Sequence, residues 1–134
     1  MADQRYRKHT GAVFSLKYHL VWCPKYRLPV LIDTVKQRLL ELLHHKAAEL
    51  EATIRAVDIM PDHVHLFIES DPTQAPAHLA NQFKGFSSRV LRQEFPHLKS
   101  HMPTLWSRSY FMGSVGAVSE ATVKRYIEQQ ETKR

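Results

Sequence analysis

Two eight-residue stretches, Thr53 to Met60 and His63 to Ser70, flank Pro61-Asp62, and no other feature constrains the fold of this chain as tightly. Both read as strands, and the punctuation between them predicts an antiparallel pair. In the second stretch side chains alternate between faces, so Val64, Leu66 and Ile68 point one way while His63 and His65 point the other. One face is therefore core, and the opposite face carries two imidazoles.

The flanking segments complete a pattern. Ala12 to Trp22, bounded by Gly11 and Pro24, reads as a first strand. Asp33 then caps a helix whose apolar positions Val35, Leu39, Leu42, Leu43 and Leu50 recur at helical spacing. After the strand pair, Pro72 to Pro76 is a loop. Ala77 to Phe95 follows as a second helix, with Leu79, Phe83, Phe86, Val90 and Leu91 inward and Pro96 as its stop. Leu105 to Val118 reads as a fourth, bent strand interrupted by Gly113 and Gly116, and Ser119 caps a terminal helix reaching about Glu131. The order β-α-β-β-α-β-α predicts an α+β fold: a ferredoxin-like (RRM-like) βαββαβ sandwich over about 12–118, with an added C-terminal helix over about 119–131. No internal repeat is present, and residues 1–134 are expected to form a single domain.

At 134 residues, 43% of them hydrophobic, the chain is long enough to bury roughly two thirds of its unfolded surface without staples. Lysine and arginine number 19 against 13 acidic residues, a net charge of +6 that favours a polyanionic partner. Cys23 has no second cysteine to pair with, and the opening residues lack an apolar signal core, so a reducing, cytoplasmic setting is expected. No apolar run approaches the ~18 residues of a membrane span, and the four glycines never form a phosphate-binding loop, so neither a membrane nor a nucleotide cofactor is expected.

Two constellations can carry chemistry. His63 and His65, two residues apart on one strand face, can place ring nitrogens around one cation; the alternative is a pair of ordinary polar-face residues in a chain with nine histidines. On the terminal helix, Tyr126 and Gln130 share a face four residues apart, offering a phenol beside an amide oxygen. Gln129 shares much of that face and stays open as the ligand, and a solvated surface is the alternative for all three. Asp62 reads either as a partner orienting an imidazole or as a turn aspartate. His19 and Trp22 read as core or interface groups, and Cys23 as structural. Basic residues gather at Arg5, Arg7, Lys8, Lys17, Lys25 and Arg27, and again at Lys84, Arg89, Arg92, Lys99 and Arg108, with Tyr6, Tyr26, Phe83 and Phe86 interleaved. Such cations neutralise phosphates and such rings stack on unpaired bases.

Taken together, Tyr18 to Trp22, Lys25 to Arg27, Pro61 to His65, Phe83 to Arg89, Leu105-Trp106 and Tyr126 to Gln130 resemble the small single-tyrosine HUH (His-hydrophobe-His) transposases of the insertion sequence (IS) 200/605 family. The resemblance runs from about Phe14 to Gln130. It implies an enzyme that cuts and rejoins single-stranded DNA at the ends of a bacterial or archaeal mobile element, recognising subterminal hairpins. By the same resemblance Tyr126 is the nucleophile, His63, His65 and Gln130 hold Mg2+ or Mn2+, and the product is a 5′-phosphotyrosine with a free 3′-hydroxyl. Lys25, Arg27, Lys84 and Arg89 are expected to contact nucleic acid. A homodimer with a shared sheet is also implied, in which the tyrosine helix of one subunit can complete the site of the other. Two further readings are a domesticated relative acting on chromosomal repetitive hairpins, and a non-catalytic RRM-like module binding single strands.

Overall fold

A computed structural model of the chain describes residues 7–9, 12–14, 16–100, 102–114 and 119–132. Arg5, Tyr6 and Gly11, and the 115–118 end of the expected fourth strand with Gly116, lie outside the described residues. A two-stranded antiparallel ribbon, β1 (Arg7–His9) and β2 (Ala12–Phe14), precedes β3 (Leu16–Trp22) and a one-turn 3-10 helix at Lys25–Arg27. Then come α1 (Asp33–Glu49), β4 (Thr53–Met60), β5 (His63–Ser70), α2 (Pro76–Glu94), the short α3 (His97–Ser100), β6 (Phe111–Ser114) and α4 (Glu120–Glu128).

The main sheet runs β4-β5-β3-β6, every neighbouring pair antiparallel. Placing β5 between β3 and β4 is the split βαβ arrangement, so the fold is the expected ferredoxin-like sandwich with an appended helix. Met60 pairs with His63 across Pro61-Asp62, which closes the β4-β5 hairpin. A bulge in β4 between Ile54 and Ala56 changes the parity of that strand. Without the extra residue Arg55, Ile54 could not share the core face with Val57 and Ile59. Ala56, Asp58 and Met60 are thereby turned toward the histidine face.

Val64, Leu66 and Ile68 of β5 and Leu20 and Trp22 of β3 are fully buried against Leu39 and Leu43 of α1 and Leu79, Phe83 and Leu91 of α2. Each such side chain contributes about 1.5–3 kcal/mol by leaving water. Both long helices thus cover one sheet face, and His63 and His65 stand on the other. No helix among the described residues is long and apolar enough to cross a membrane.

Several expected boundaries move. The strand expected over Ala12 to Trp22 is divided into β2 and β3. The strand expected over Leu105 to Val118 shrinks to Phe111–Ser114, because the preceding segment is pinned elsewhere. There the Lys25 amide donates to the Leu105 carbonyl at 2.8 Å and the Ser107 amide to the Cys23 carbonyl at 2.9 Å. The Trp106 indole also donates, to the Lys84 carbonyl and to Ser87 Oγ, each at 3.1 Å. Asp33 makes no side-chain cap; its φ is 52°, and the Ile32 carbonyl accepts the first helical bonds of α1. Ser119 does cap α4, accepting from the Thr122 amide at 3.1 Å.

Candidate active site

On the open sheet face, His65 stands across from Val21 on β3 and Asp58 on β4. His63 Nδ1 meets Asp62 Oδ1 at 2.9 Å, the contact expected under the first of the two readings of that aspartate, and Asp62 Oδ2 accepts from Arg27 Nε at 3.1 Å. His65 Nε2 lies 2.9 Å from His19 Nδ1, and the His19 ring stacks on Phe67 with centroids 4.7 Å apart. Burial first, then the neighbouring His19, lowers the His65 pKa below the ordinary histidine value; Asp58 opposes the shift. The shift favours the neutral imidazole, the form that binds metal. Of the two readings of His19, core or interface, the core one does not hold. Tyr18, Leu20 and Trp22 take the core side of β3, and strand alternation sends His19 to the other.

An open cleft of about 590 Å³ lies over these groups. His19, Arg27, His63 and His65 line one side, and Val123, Lys124 and Ile127 of α4 line the other. Tyr126 projects from a neighbouring flank of the same helix. Its hydroxyl meets Ser109 Oγ at 2.8 Å, and its ring lies 5.9 Å from that of Phe111 on β6. Gln130 joins it: Ser109 Oγ donates to Gln130 Oε1 at 3.0 Å, Ser107 Oγ reaches the same oxygen at 3.4 Å, and Gln130 Nε2 donates to the Tyr126 carbonyl at 3.0 Å. Gln130, not Gln129, thus places its amide beside the phenol. Burial raises the Tyr126 pKa above that of a free phenol, Ser109 lowers it, and nearby Cys23 raises it.

The serine shelf is held from below. Lys84 Nζ donates to the carbonyls of Ser107, Arg108 and Ser109 at 2.9, 3.2 and 3.0 Å, and burial brings its pKa down to about 8. Buried Cys23 has its thiol pushed up to about 12, chiefly by burial. Lys25 lies 5.2 Å from the centre of the Tyr26 ring, and exposed Arg89 lies 5.6 Å from that of Phe86 on α2. The four expected nucleic-acid contacts are accordingly spread over two elements, the turn before α1 and the helix layer. Sequence reasoning missed Ser107 and Ser109, which stand in an irregular stretch with no periodicity to mark them.

The chain brings His63 and His65 together, and Tyr126 together with Gln130, but it does not bring one pair onto the other. For a divalent cation the two imidazoles are suitable donors. Among the described residues no group of three or more His, Cys, Asp or Glu side chains is arranged to hold a metal ion. A third donor must come from another group, and the Gln130 amide is engaged on the shelf.

The chain has clear relatives. The residue pattern described as "Transposase IS200 like" matches residues 12–130, and the chain belongs to that family of transposases, enzymes that process DNA. It is 36% identical over 129 residues to the ISDra2 transposase TnpA of Deinococcus radiodurans, covering 95% of this chain and 92% of that one. The transposase for insertion sequence element IS200 of Salmonella typhimurium is 27% identical over 132 residues, covering 97% of this chain and 85% of that relative. A crystal structure from Deinococcus radiodurans R1 superimposes with a TM-score of 0.87 at 36% identity, covering 95% and 99% of the two chains. A REP-associated tyrosine transposase bound to a REP hairpin shares the fold, with a TM-score of 0.58 at 12% identity over 96% of this chain and 69% of that one.

Proposed function

We propose that this transposase cleaves and rejoins single-stranded DNA through Tyr126, at a site completed by His63, His65 and Gln130. The observation that carries the reading is the single cleft bordered by both imidazoles and by the helix that bears the tyrosine. Hairpin-bearing single strands are the substrate class to test first, given the hairpin-bound transposase of the same fold.

In the proposed step the Tyr126 oxygen attacks a backbone phosphorus, the phosphorus–O3′ bond breaks, and a 5′-phosphotyrosine and a 3′-hydroxyl remain. The phenolic proton leaves to a base, and the departing O3′ gains one. A second 3′-hydroxyl reverses the exchange and reseals a strand, which conserves the ester and requires no nucleotide. His63 and His65, joined by the Gln130 amide oxygen, would hold Mg2+ or Mn2+, whose charge would polarise the phosphate. Asp62 holds the first imidazole by its Nδ1, leaving Nε2 for the cation.

The shelf position of Tyr126 requires that α4 shift, or that the phenol serve the cleft of a second copy. A homodimer is the arrangement we propose. Lys25 and Arg89, both beside aromatic rings, are the proposed phosphate contacts; a cytoplasmic site of action is part of the same reading.

Incubating the protein with a single-stranded hairpin and Mn2+, then resolving products on a denaturing gel, tests the proposal. A protein–DNA adduct is expected with the native chain and none with Tyr126→Phe. Persistence of the adduct in that variant refutes the nucleophile assignment, and efficient cutting in chelator refutes the metal. Mixing Tyr126→Phe with His63→Ala is expected to restore activity if sites are shared between subunits.

A further inference from the structure

Arg27 touches both halves of the site. Its Nη1 donates to the Ile127 carbonyl at 3.1 Å, in the last turn of α4, where the helix dipole favours a cation. Its Nε donates to Asp62 Oδ2 at 3.1 Å, and the other oxygen of that carboxylate meets His63 Nδ1 at 2.9 Å. An unbroken line of polar contacts therefore runs from the tyrosine helix, through one guanidinium and one carboxylate, to an imidazole on β5. Arg27 and Asp62 are each about two-thirds buried, with 29% and 30% of their side chains exposed, so water competes only partly for these bonds.

The backbone is bent to deliver this side chain. Tyr26 and Arg27 have φ of 59° and 51°, a left-handed conformation that residues with side chains rarely adopt. Such a turn persists where its surroundings hold it. Here the Lys25 amide is bound to the Leu105 carbonyl and the Arg27 amide to that of Pro24, each at 2.8 Å. The result is a fork with two separate N–H directions aimed at two different elements, which a lysine ammonium on a flexible stem does not reproduce.

We propose that Arg27 is a positioning residue that registers α4 against the histidine cleft, holding the helix by the Ile127 carbonyl and the His63 imidazole through Asp62. The His63 half of this inference rests on the reading of that residue as a metal ligand; the α4 half does not. Arg27 then acts in both elements without touching the reacting atoms.

The test uses the full chain without DNA and has two readouts: amide hydrogen exchange across α4, and Mn2+ affinity by calorimetry. In Arg27→Ala, exchange in α4 is expected to quicken roughly fivefold to tenfold, and Mn2+ binding to weaken about 10-fold, as for other groups that orient a ligand. Asp62→Ala should weaken Mn2+ binding similarly, and the double variant should be no weaker than Asp62→Ala alone, since both act through one imidazole. Arg27→Lys should restore at most one readout, and it carries the test should Arg27→Ala fail to fold. Unchanged α4 exchange, additive losses in the double variant, or full rescue by lysine would each overturn the proposal. Native protein that ignores Mn2+, or His63→Ala that binds it as well as native, defeats the ligand reading and with it the His63 half; the exchange measurement still decides the α4 half.

Discussion

Along one flank of α4, Val123 and Ile127 face a cleft whose opposite wall carries three imidazoles and Arg27; along the adjoining flank, Tyr126 and Gln130 rest on serine hydroxyls. The two sides are built differently. The histidines stand on β5, whose register is set residue by residue on both sides by β3 and β4. The serines stand in an irregular segment held by Lys84 and Trp106 and by two backbone bonds to the turn after β3. A ladder spreads its support over many bonds, whereas a shelf concentrates it in a few. The histidine half should therefore tolerate single changes that would unseat the tyrosine half.

The sharpest break in that comparison is expected within one strand. Leu66→Ala, on the core face of β5, should cost about 2–5 kcal/mol of stability by opening a cavity. His65→Ala, one residue away on the open face, should change stability by about 1 kcal/mol or less and yet abolish Mn2+ binding. Urea unfolding and calorimetry on the two variants check this. Equal destabilisation by both would make His65 a packing residue and remove the distinction between the faces.

That contrast also explains which features the residue pattern reveals by itself. Period-two alternation in His63 to Ser70 marks the buried and open faces of β5 directly, and the order of apolar segments fixes the split βαβ arrangement. His19 obeys the same alternation, but in a strand rich in aromatic residues it reads as one more packed ring. The extent of β6 was not legible, because Leu105 and Trp106 are as apolar as strand residues yet bury themselves through bonds to α2 and to the turn after β3. Ser107 and Ser109 leave no pattern at all. Arg27 and Lys84 read as nucleic-acid contacts, since nothing local reveals that their donors are spent on carbonyls and a carboxylate brought from 23 to 100 residues away.

A smaller effect should separate the shelf from the ladder by pH. Lys84 has its pKa lowered by burial from 10.5 to about 8. Between those values the unfolded chain binds a proton that the folded chain has released, so the Lys84 contribution to stability should rise with pH across that window, opposed above 9.0 by Cys23, whose thiol ionises first in the unfolded chain. Lys84→Met should lack the rise, whereas His65→Ala should keep it. Urea midpoints measured from pH 8 to pH 10.5 decide the matter; a rise that survives in Lys84→Met would mean that this lysine is not the group responsible.

The smallest expected effect lies at Ser109. Its hydroxyl is the one influence that lowers the Tyr126 pKa, against burial and nearby Cys23, which raise it. Ser109→Ala should therefore move the phenol further upward and cost about 1 kcal/mol for the lost bond. The sign follows from proton binding: above the ordinary phenol value of 10.0 the unfolded chain ionises first, so folding stability falls as pH climbs, and falls further in the variant. The difference in phenolate absorbance between Ser109→Ala and its Tyr126→Phe double variant isolates this one tyrosine. An unchanged titration would mean that the hydroxyl contact does not govern the phenol, leaving Phe111 and the packing of α4 to hold the ring where it lies.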